Sequence, residues 1–110
     1  MLADFMTWCR NTYPQLRKAI FHIENEGHEG GQRGAFLGAQ ALAKGKLKGV
    51  FDVLCVYKGK MTWIEFKLPK GVLSPAQKEL KEIWEGWGME IHVIRNFEEF
   101  NLIIQKILRC

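Results

Sequence analysis

Residues 50–67, VFDVLCVYKGKMTWIEFK, predict two apolar strands joined by a turn, and the other elements can be placed around them. Apart from Asp52 in the first strand and Thr62 and Glu65 in the second, both strands are apolar on both alternating faces, as is typical of strands covered on each side. A carboxylate in such a strand requires a partner, because burying an unpaired charge is costly. The two acids therefore indicate a paired, metal-binding or catalytic site.

The parity of the turn decides whether the two acids can share a site. Period two places Glu65 and Lys67 on the same face of the second strand. The turn falls at Lys58-Gly59-Lys60, and Asp52 joins the Glu65 face only if the connection has an even number of residues or a bulge corrects the parity. We predict such a register. A three-residue loop without a bulge would place Asp52 on the opposite face.

The remaining chain predicts alternating helices and strands. Residues 74–77, SPAQ, are typical of a helix start, with a cap residue, a proline at the first helical position and a glutamine three residues after the cap. The following connection is long enough for a right-handed parallel crossover. We therefore expect one domain over residues 1–110, of mixed α/β (α+β) class, with a four-stranded mixed sheet flanked by helices. The predicted elements are helix 2–12, strand 19–24, helix 35–43, the hairpin, helix 75–87, strand 89–94 and a last helix capped by Asn96 with Glu99.

Positive charge gathers around the hairpin. The chain has 16 basic and 12 acidic residues and a net charge of +4. Residues 33–70 hold eight of the basic residues and two of the acids, which gives +6 there and −2 elsewhere. This distribution favours a polyanion such as nucleic acid as partner, although the lysines alone are equally explained as a solvated loop. The candidate DNA-binding residues are Arg33, Lys44, Lys46, Lys48 and Lys70.

Several classes of protein are disfavoured. The first residues do not resemble a secretory leader, and no apolar run is long enough to span a membrane, so we expect a cytoplasmic protein. Cys9, Cys55 and Cys110 are odd in number and widely spaced, which argues against disulfides and a zinc site. The histidines at 22, 28 and 92 fit no metal-ligand spacing, and Trp84 and Trp87 are expected in the core.

An acid on the second strand, Glu-x-Lys on the third and a helix after it resemble the PD-(D/E)xK nuclease superfamily. Within it, the chain resembles a stand-alone virus-type replication-repair nuclease (VRR-NUC) domain, which implies a restriction-endonuclease-like core. The resemblance covers roughly residues 19–95 and rests on HIENEG (22–27), GVFD (49–52), IEFK (64–67), LSPAQ (73–77) and GMEIHV (88–93). Two prolines usual in the family are replaced by Phe51 and Glu24, which affects backbone shape rather than chemistry.

The resemblance implies phosphodiester hydrolysis with one or two Mg²⁺ or Mn²⁺ ions. Asp52 and Glu65 would be metal ligands, with the main-chain carbonyl of Phe66 as a third. Lys67 would orient the attacking water, help to deprotonate it or hold a phosphate oxygen. The residues alone are compatible with this chemistry, because hard carboxylate oxygens suit Mg²⁺.

Some assignments stay open. Gln77 is fully explained as a capping residue, and the resemblance also makes it a candidate catalytic or DNA-contacting residue. The resemblance also implies a metal-binding acid nearer the N-terminus. Glu26, Glu24 and Asp4 are the candidates in that order, and solvated surface is the default interpretation of all three. Glu-x-Lys is a weak motif alone, since Glu79-Leu80-Lys81 matches it too. A salt network without catalysis would also explain the three charged residues.

No motif for reading bases is present, so we expect recognition of DNA shape through phosphates. Stand-alone members of the family resemble Holliday junction resolvases. The sequence-based hypothesis is a homodimeric, metal-dependent, structure-selective DNA endonuclease that acts on branched DNA in replication, repair or recombination, in a prokaryote or a phage-infected host cell. The alternatives are a flap or nicking nuclease, an exonuclease acting on DNA ends, and a non-catalytic DNA-binding module that keeps the nuclease fold.

Overall fold

A computed structural model describes residues 1–24, 44–45 and 47–109. The helix predicted over residues 35–43 lies outside these ranges. None of the described helices is both long and apolar enough to cross a membrane. The described elements are α1 (Leu2–Thr12), a 3₁₀ helix (Pro14–Leu16), β1 (Ile20–His22), β2 (Val53–Tyr57), β3 (Lys60–Phe66), α2 (Pro75–Gly86), β4 (Glu90–Ile94) and α3 (Phe97–Leu108).

The four strands form one mixed sheet in the order β1-β2-β3-β4. β2 pairs antiparallel with β1 and β3, while β3 and β4 are parallel and connected through α2. The mixed sheet and the parallel crossover confirm the predicted fold class. β1 is shorter than predicted because β2 begins only at Val53, and beyond His22 the pairing reduces to one bond from Ile23 N to Asp52 O of 2.7 Å.

The hairpin between β2 and β3 has a two-residue loop, Lys58-Gly59, flanked by the pair Tyr57 and Lys60. Both loop residues have positive φ, 51° and 80°, as in the type I′ turn whose twist suits adjacent strands. The assignment of Lys60 to the turn was therefore wrong, because Lys60 begins β3. The even loop length confirms the predicted parity.

Helices cover both faces of the sheet. On the first face, strand residues such as Val53 and Ile64 pack against α1 and α3 in a core that includes Cys9 and Phe100. On the second face, α2 contributes Leu80 to a smaller cluster. The buried members of that cluster are Phe51, Trp63, Leu80 and Ile91.

The two long C-terminal helices begin with the predicted caps. Ser74 Oγ accepts a hydrogen bond from Gln77 N at 3.1 Å, and Asn96 Oδ1 accepts one from Glu99 N at 2.9 Å. The predicted end of α2 is less accurate, because the helix ends at Gly86 and Trp87 is its C-cap residue. Trp87 is 74% exposed, so its assignment to the core was wrong. A residue past the last helical turn does not continue the buried stripe that ends at Trp84.

Candidate active site

The register of β2 and β3 brings the two acids of the hairpin together. Val53 pairs with Ile64, so continuing the register by one residue places Asp52 opposite Glu65. Both lie on the face covered by α2, as alternation from Trp63 requires. Asp52 is half-buried and Glu65 is only 3% exposed.

Two hydrogen bonds between main chain and side chain fix this pair. Phe66 N donates to Asp52 Oδ2 at 3.0 Å, and Asp52 N donates to Glu65 Oε1 at 3.0 Å. The Asp52 carboxylate thus accepts a hydrogen bond from the Phe66 N–H at the point where the β2–β3 pairing ends. One oxygen of each acid is therefore held by the backbone of the opposite strand.

The second oxygen of Glu65 is contacted by two further side chains. Gln77 Nε2 donates to Glu65 Oε2 at 2.8 Å, and Lys67 Nζ lies 3.1 Å from the same oxygen. The Lys67 side chain is 22% exposed. Lys67 therefore reaches from solvent to the buried carboxylate, as the shared face of Glu65 and Lys67 predicts.

Gln77 serves two purposes at once. Its Oε1 accepts from Ser74 N at 3.2 Å, which completes the capping box of α2, while its Nε2 contacts Glu65. The capping interpretation is confirmed. The same side chain also belongs to the acidic site, which its position in the sequence does not require.

Electrostatics disfavour ionisation of Glu65 in the free protein. Burial raises the pKa of Glu65 above its ordinary value of 4.5, and the nearby Asp52 carboxylate raises it further, while the hydrogen bond from Gln77 and the charge of Lys67 oppose this. Like charges directly opposite one another on a sheet are destabilising. A cation between Asp52 and Glu65 would remove both penalties, so the pair is suited to binding a metal ion.

The donor atoms at the pair fit a hard divalent cation. Asp52 and Glu65 supply carboxylate oxygens, and the Phe66 carbonyl faces the Asp52 side, because the N–H and C=O of one strand residue point to the same side. Mg²⁺ and Mn²⁺ prefer such oxygens and complete their shells with water and phosphate. Within residues 1–24, 44–45 and 47–109, no three His, Cys, Asp or Glu residues are grouped so that they could hold a metal.

The proposed third acid is not identified among the described residues. Glu26, the first candidate, lies outside them. Glu24 and Asp4 are both exposed, and neither forms a hydrogen bond or ion pair with Asp52, Glu65 or Lys67 in the described part of the chain.

The candidate DNA-binding residues are only partly described. Lys44, Lys48 and Lys70 are exposed, whereas Arg33 and Lys46 lie outside the described ranges. Of the histidines, His22 is exposed in β1, and His92 Nε2 lies 3.3 Å from Glu90 Oε2 on β4. His28 is outside the described residues.

Two features of the site were not found from the sequence. Gly49 approaches the first turn of α2 so closely that a Cβ there would lie 2.8 Å from Ala76 O. Arg95 Nη2 donates to Gly71 O at 2.9 Å and so ties the end of β4 to the connector that carries Lys70. Both contacts join residues distant in the chain, so no local pattern signals them, although a glycine three residues before Asp52 is consistent with a close approach.

A solved structure described as a VRR_NUC domain protein has the same fold. It matches with a TM-score of 0.72 at 18% identity, and the match covers 97% of this chain and 87% of that chain. No protein-family model matches the sequence, and no curated protein matches it either. The structural likeness shows that the chain has the fold of a VRR-NUC domain.

Proposed function

We propose that this chain, with its VRR-NUC fold, is a metal-dependent nuclease that hydrolyses phosphodiester bonds in DNA. The observation that carries the proposal is the opposition of Asp52 and Glu65, with Lys67 Nζ 3.1 Å from Glu65 Oε2. A binding-only protein does not need two carboxylates in front of a phosphate. A nuclease requires them, because they hold the metal that phosphate also contacts.

Each residue of the site has a distinct role in this proposal. Asp52, Glu65 and the Phe66 carbonyl would hold Mg²⁺ or Mn²⁺, which when bound supplies Lewis-acid activation of water and charge stabilisation at phosphate. Lys67 places a positive charge beside the carboxylates, where it orients the attacking water or holds a phosphate oxygen. Gln77 is bonded to both Ser74 and Glu65, so it orients the Glu65 carboxylate.

The DNA contacts are proposed to be made to phosphates. Lys44, Lys48 and Lys70 are exposed lysines, and Arg33 and Lys46 belong to the same basic part of the sequence. Phosphate contacts give affinity without reading bases, and they weaken as salt rises. Discrimination between substrates would then depend on DNA shape, and we propose that the preferred substrate is branched.

Cleavage of a four-way junction by paired cuts needs two active sites, so we propose a homodimer. The exposed apolar residues at the end of α2, Ile83 at 41% and Trp87 at 74%, support an interface with a second copy. Sedimentation of wild type and Trp87→Glu would test it, with dimer expected for the former and monomer for the latter. A strictly monomeric wild type would remove junction resolution and favour the flap, nicking or exonuclease alternative.

The primary test is cleavage of a labelled four-way junction and a matching linear duplex, with Mg²⁺, with Mn²⁺ and with chelator, by wild type and Asp52→Ala. Paired symmetric cuts on the junction alone, absent in the variant and in chelator, would support a resolvase. Metal-dependent cutting of both substrates would keep the nuclease and overturn junction selectivity. Binding of these and other DNA structures without cutting any of them would overturn the nuclease and leave a DNA-binding module.

A further inference from the structure

The first turn of α2 is connected to Glu65 by a chain of hydrogen bonds. Ser74 N donates to Gln77 Oε1 at 3.2 Å, and Ser74 Oγ accepts from Gln77 N at 3.1 Å. With its Oε1 and main chain fixed in this way, Gln77 directs Nε2 at Glu65 Oε2, 2.8 Å away. The position of one carboxylate therefore depends on a helix cap whose own residue, Ser74, does not touch it.

The same turn also supports the segment that leads to the other carboxylate. Gly49 lies three residues before Asp52, and a Cβ at Gly49 would meet Ala76 C and O at 2.8 Å and Gln77 N at 3.0 Å. These are main-chain atoms of the first turn of α2, which cannot move aside as a flexible side chain could. Gly49 also has φ of +82°, which side-chain-bearing residues rarely adopt.

From these two contacts we propose that Ser74 and Gly49 are positioning residues, through which the first turn of α2 sets the placement of Glu65 and Asp52 relative to each other. This inference rests on the proposed function. Neither residue touches substrate or metal in the proposal, so each acts only through the carboxylates. Small displacements at a reacting centre cost far more in rate than in binding, which gives the proposal a measurable signature.

The chain offers matched controls for both residues. Asn96 caps α3 with the same kind of bond to Glu99 N, but that helix covers the other face of the sheet. Gly88, just after α2 at its far end, has φ of +91°, and no atom of the described residues lies within 4 Å of an added Cβ. Ser74→Ala and Asn96→Ala each remove a helix cap, and Gly49→Ala and Gly88→Ala each place a side chain at a positive φ. In each pair, only the first residue is connected to the proposed site.

The test is steady-state cleavage with Mn²⁺ of whichever DNA the wild type cuts, well below the unfolding temperature of every variant. We expect Ser74→Ala and Gly49→Ala to lower kcat by about tenfold or more, with KM within about twofold. Ser74→Thr, which keeps the hydroxyl, should restore the rate. Asn96→Ala and Gly88→Ala should stay within about twofold of wild type. Equal effects within each pair, or wild-type rates in Ser74→Ala, would overturn the proposal.

A second readout separates this proposal from the proposed function. The side-chain amide resonances of Gln77 in an ¹⁵N spectrum report its hydrogen bond to Glu65 without any cleavage. Ser74→Ala keeps the main-chain N–H that Gln77 Oε1 accepts from but releases Gln77 N, so it should shift these resonances from their wild-type positions. Asn96→Ala should leave them in place. If wild type cuts no DNA, the nuclease assignment fails and these resonances alone decide the positioning role. Unmoved resonances in Ser74→Ala would overturn it.

Discussion

The face of the sheet under α1 and α3 buries mainly apolar side chains, together with the uncharged Thr62. Its core residues Cys9, Leu16, Phe100 and Ile104 are all 0% exposed. The face under α2 has a smaller apolar cluster and buries two polar side chains beside it, Glu65 and Gln77. The indole N–H of Trp63 on this face is also buried, and it has no hydrogen-bond partner among the described residues. The first face is therefore mainly a hydrophobic core, whereas the second carries electrostatic and desolvation penalties at Glu65, which the proposed metal ion would relieve.

We therefore predict that substitutions on one face of the sheet mainly affect stability, whereas substitutions on the other mainly affect catalysis. Burial of apolar area is the main favourable term in folding, so changes under α1 and α3 should alter the free energy of unfolding. Functional sites commonly sacrifice stability, so changes beside Glu65 should alter catalysis with smaller effects on folding.

The largest effect is expected for substitution of Glu65, and the second Glu-x-Lys sequence, which begins at Glu79, provides the control. Glu65→Gln should lower the cleavage rate by about 10³-fold or more, roughly 4 kcal/mol in activation free energy, because it removes the charge that is proposed to hold the metal. Glu79→Gln should leave the rate unchanged, since Glu79 is exposed on α2 and the neighbouring Lys81 is bonded to Glu85 instead. Comparable losses from both substitutions would remove the distinction between buried site and helix surface. Cleavage of a labelled substrate in Mn²⁺ measures the rates.

Ile104→Ala should have the next largest effect, on the opposite face. Ile104 is 0% exposed in the core under α3, and truncation of a buried isoleucine costs roughly 3 kcal/mol through lost burial and the cavity left behind. Urea denaturation would measure the loss. The rate per folded molecule should stay near that of wild type, and a large fall in that rate with stability intact would show that the faces are not independent.

The two faces should also respond to pH with opposite signs. The pKa of Glu65 is raised above 4.5, mainly by burial, so its contribution to stability is fully present below about pH 4.5 and is lost as pH rises through the raised pKa. On the other face, the pKa of Glu90 is lowered, first by its hydrogen bond from Lys60 and further by His92 and the charge of Lys106. Its contribution is present above about pH 4.5 and is lost as pH falls through the lowered pKa.

These pH dependences can be measured as the free energy of unfolding of wild type, Glu65→Gln and Glu90→Gln at a series of pH values without metal. The advantage of wild type over Glu65→Gln should shrink as pH rises from about 4.5, and its advantage over Glu90→Gln should shrink as pH falls below about 4.5. Parallel curves for both variants would contradict the electrostatic contrast between the faces.

The smallest effect is expected at exposed lysines. Lys70 lies on the connector leading to α2 and is exposed, whereas Lys106 on α3 lies 3.7 Å from Glu90. Lys70→Ala should reduce the slope of log affinity against log salt by about one, as for the loss of one phosphate contact. Lys106→Ala should leave the slope unchanged. DNA binding titrated at several salt concentrations in chelator measures both slopes. An equal decrease of the slope in both variants would contradict the prediction, because it would place DNA on both faces.

The predictions from sequence were most accurate where the determinants are local. The caps of α2 and α3 each depend on residues three positions apart, and both were predicted correctly. The even parity of the hairpin was predicted because Asp52 had to join the Glu65 face, but Lys60 was wrongly placed in the loop. Composition could not distinguish a two-residue loop from one with a bulge, because Lys58-Gly59-Lys60 permits both.

The sequence by itself determined the order of the described elements, the mixed sheet and the presence of two acids in covered strands. These follow from periodicity, capping and the cost of buried charge. Only the tertiary structure decided that Gln77 contacts Glu65, that Gly49 packs against the first turn of α2 and that Trp87 is exposed. Such contacts depend on how α2 docks on the sheet, and docking is set by the summed packing of residues far apart in the chain, which no local pattern encodes.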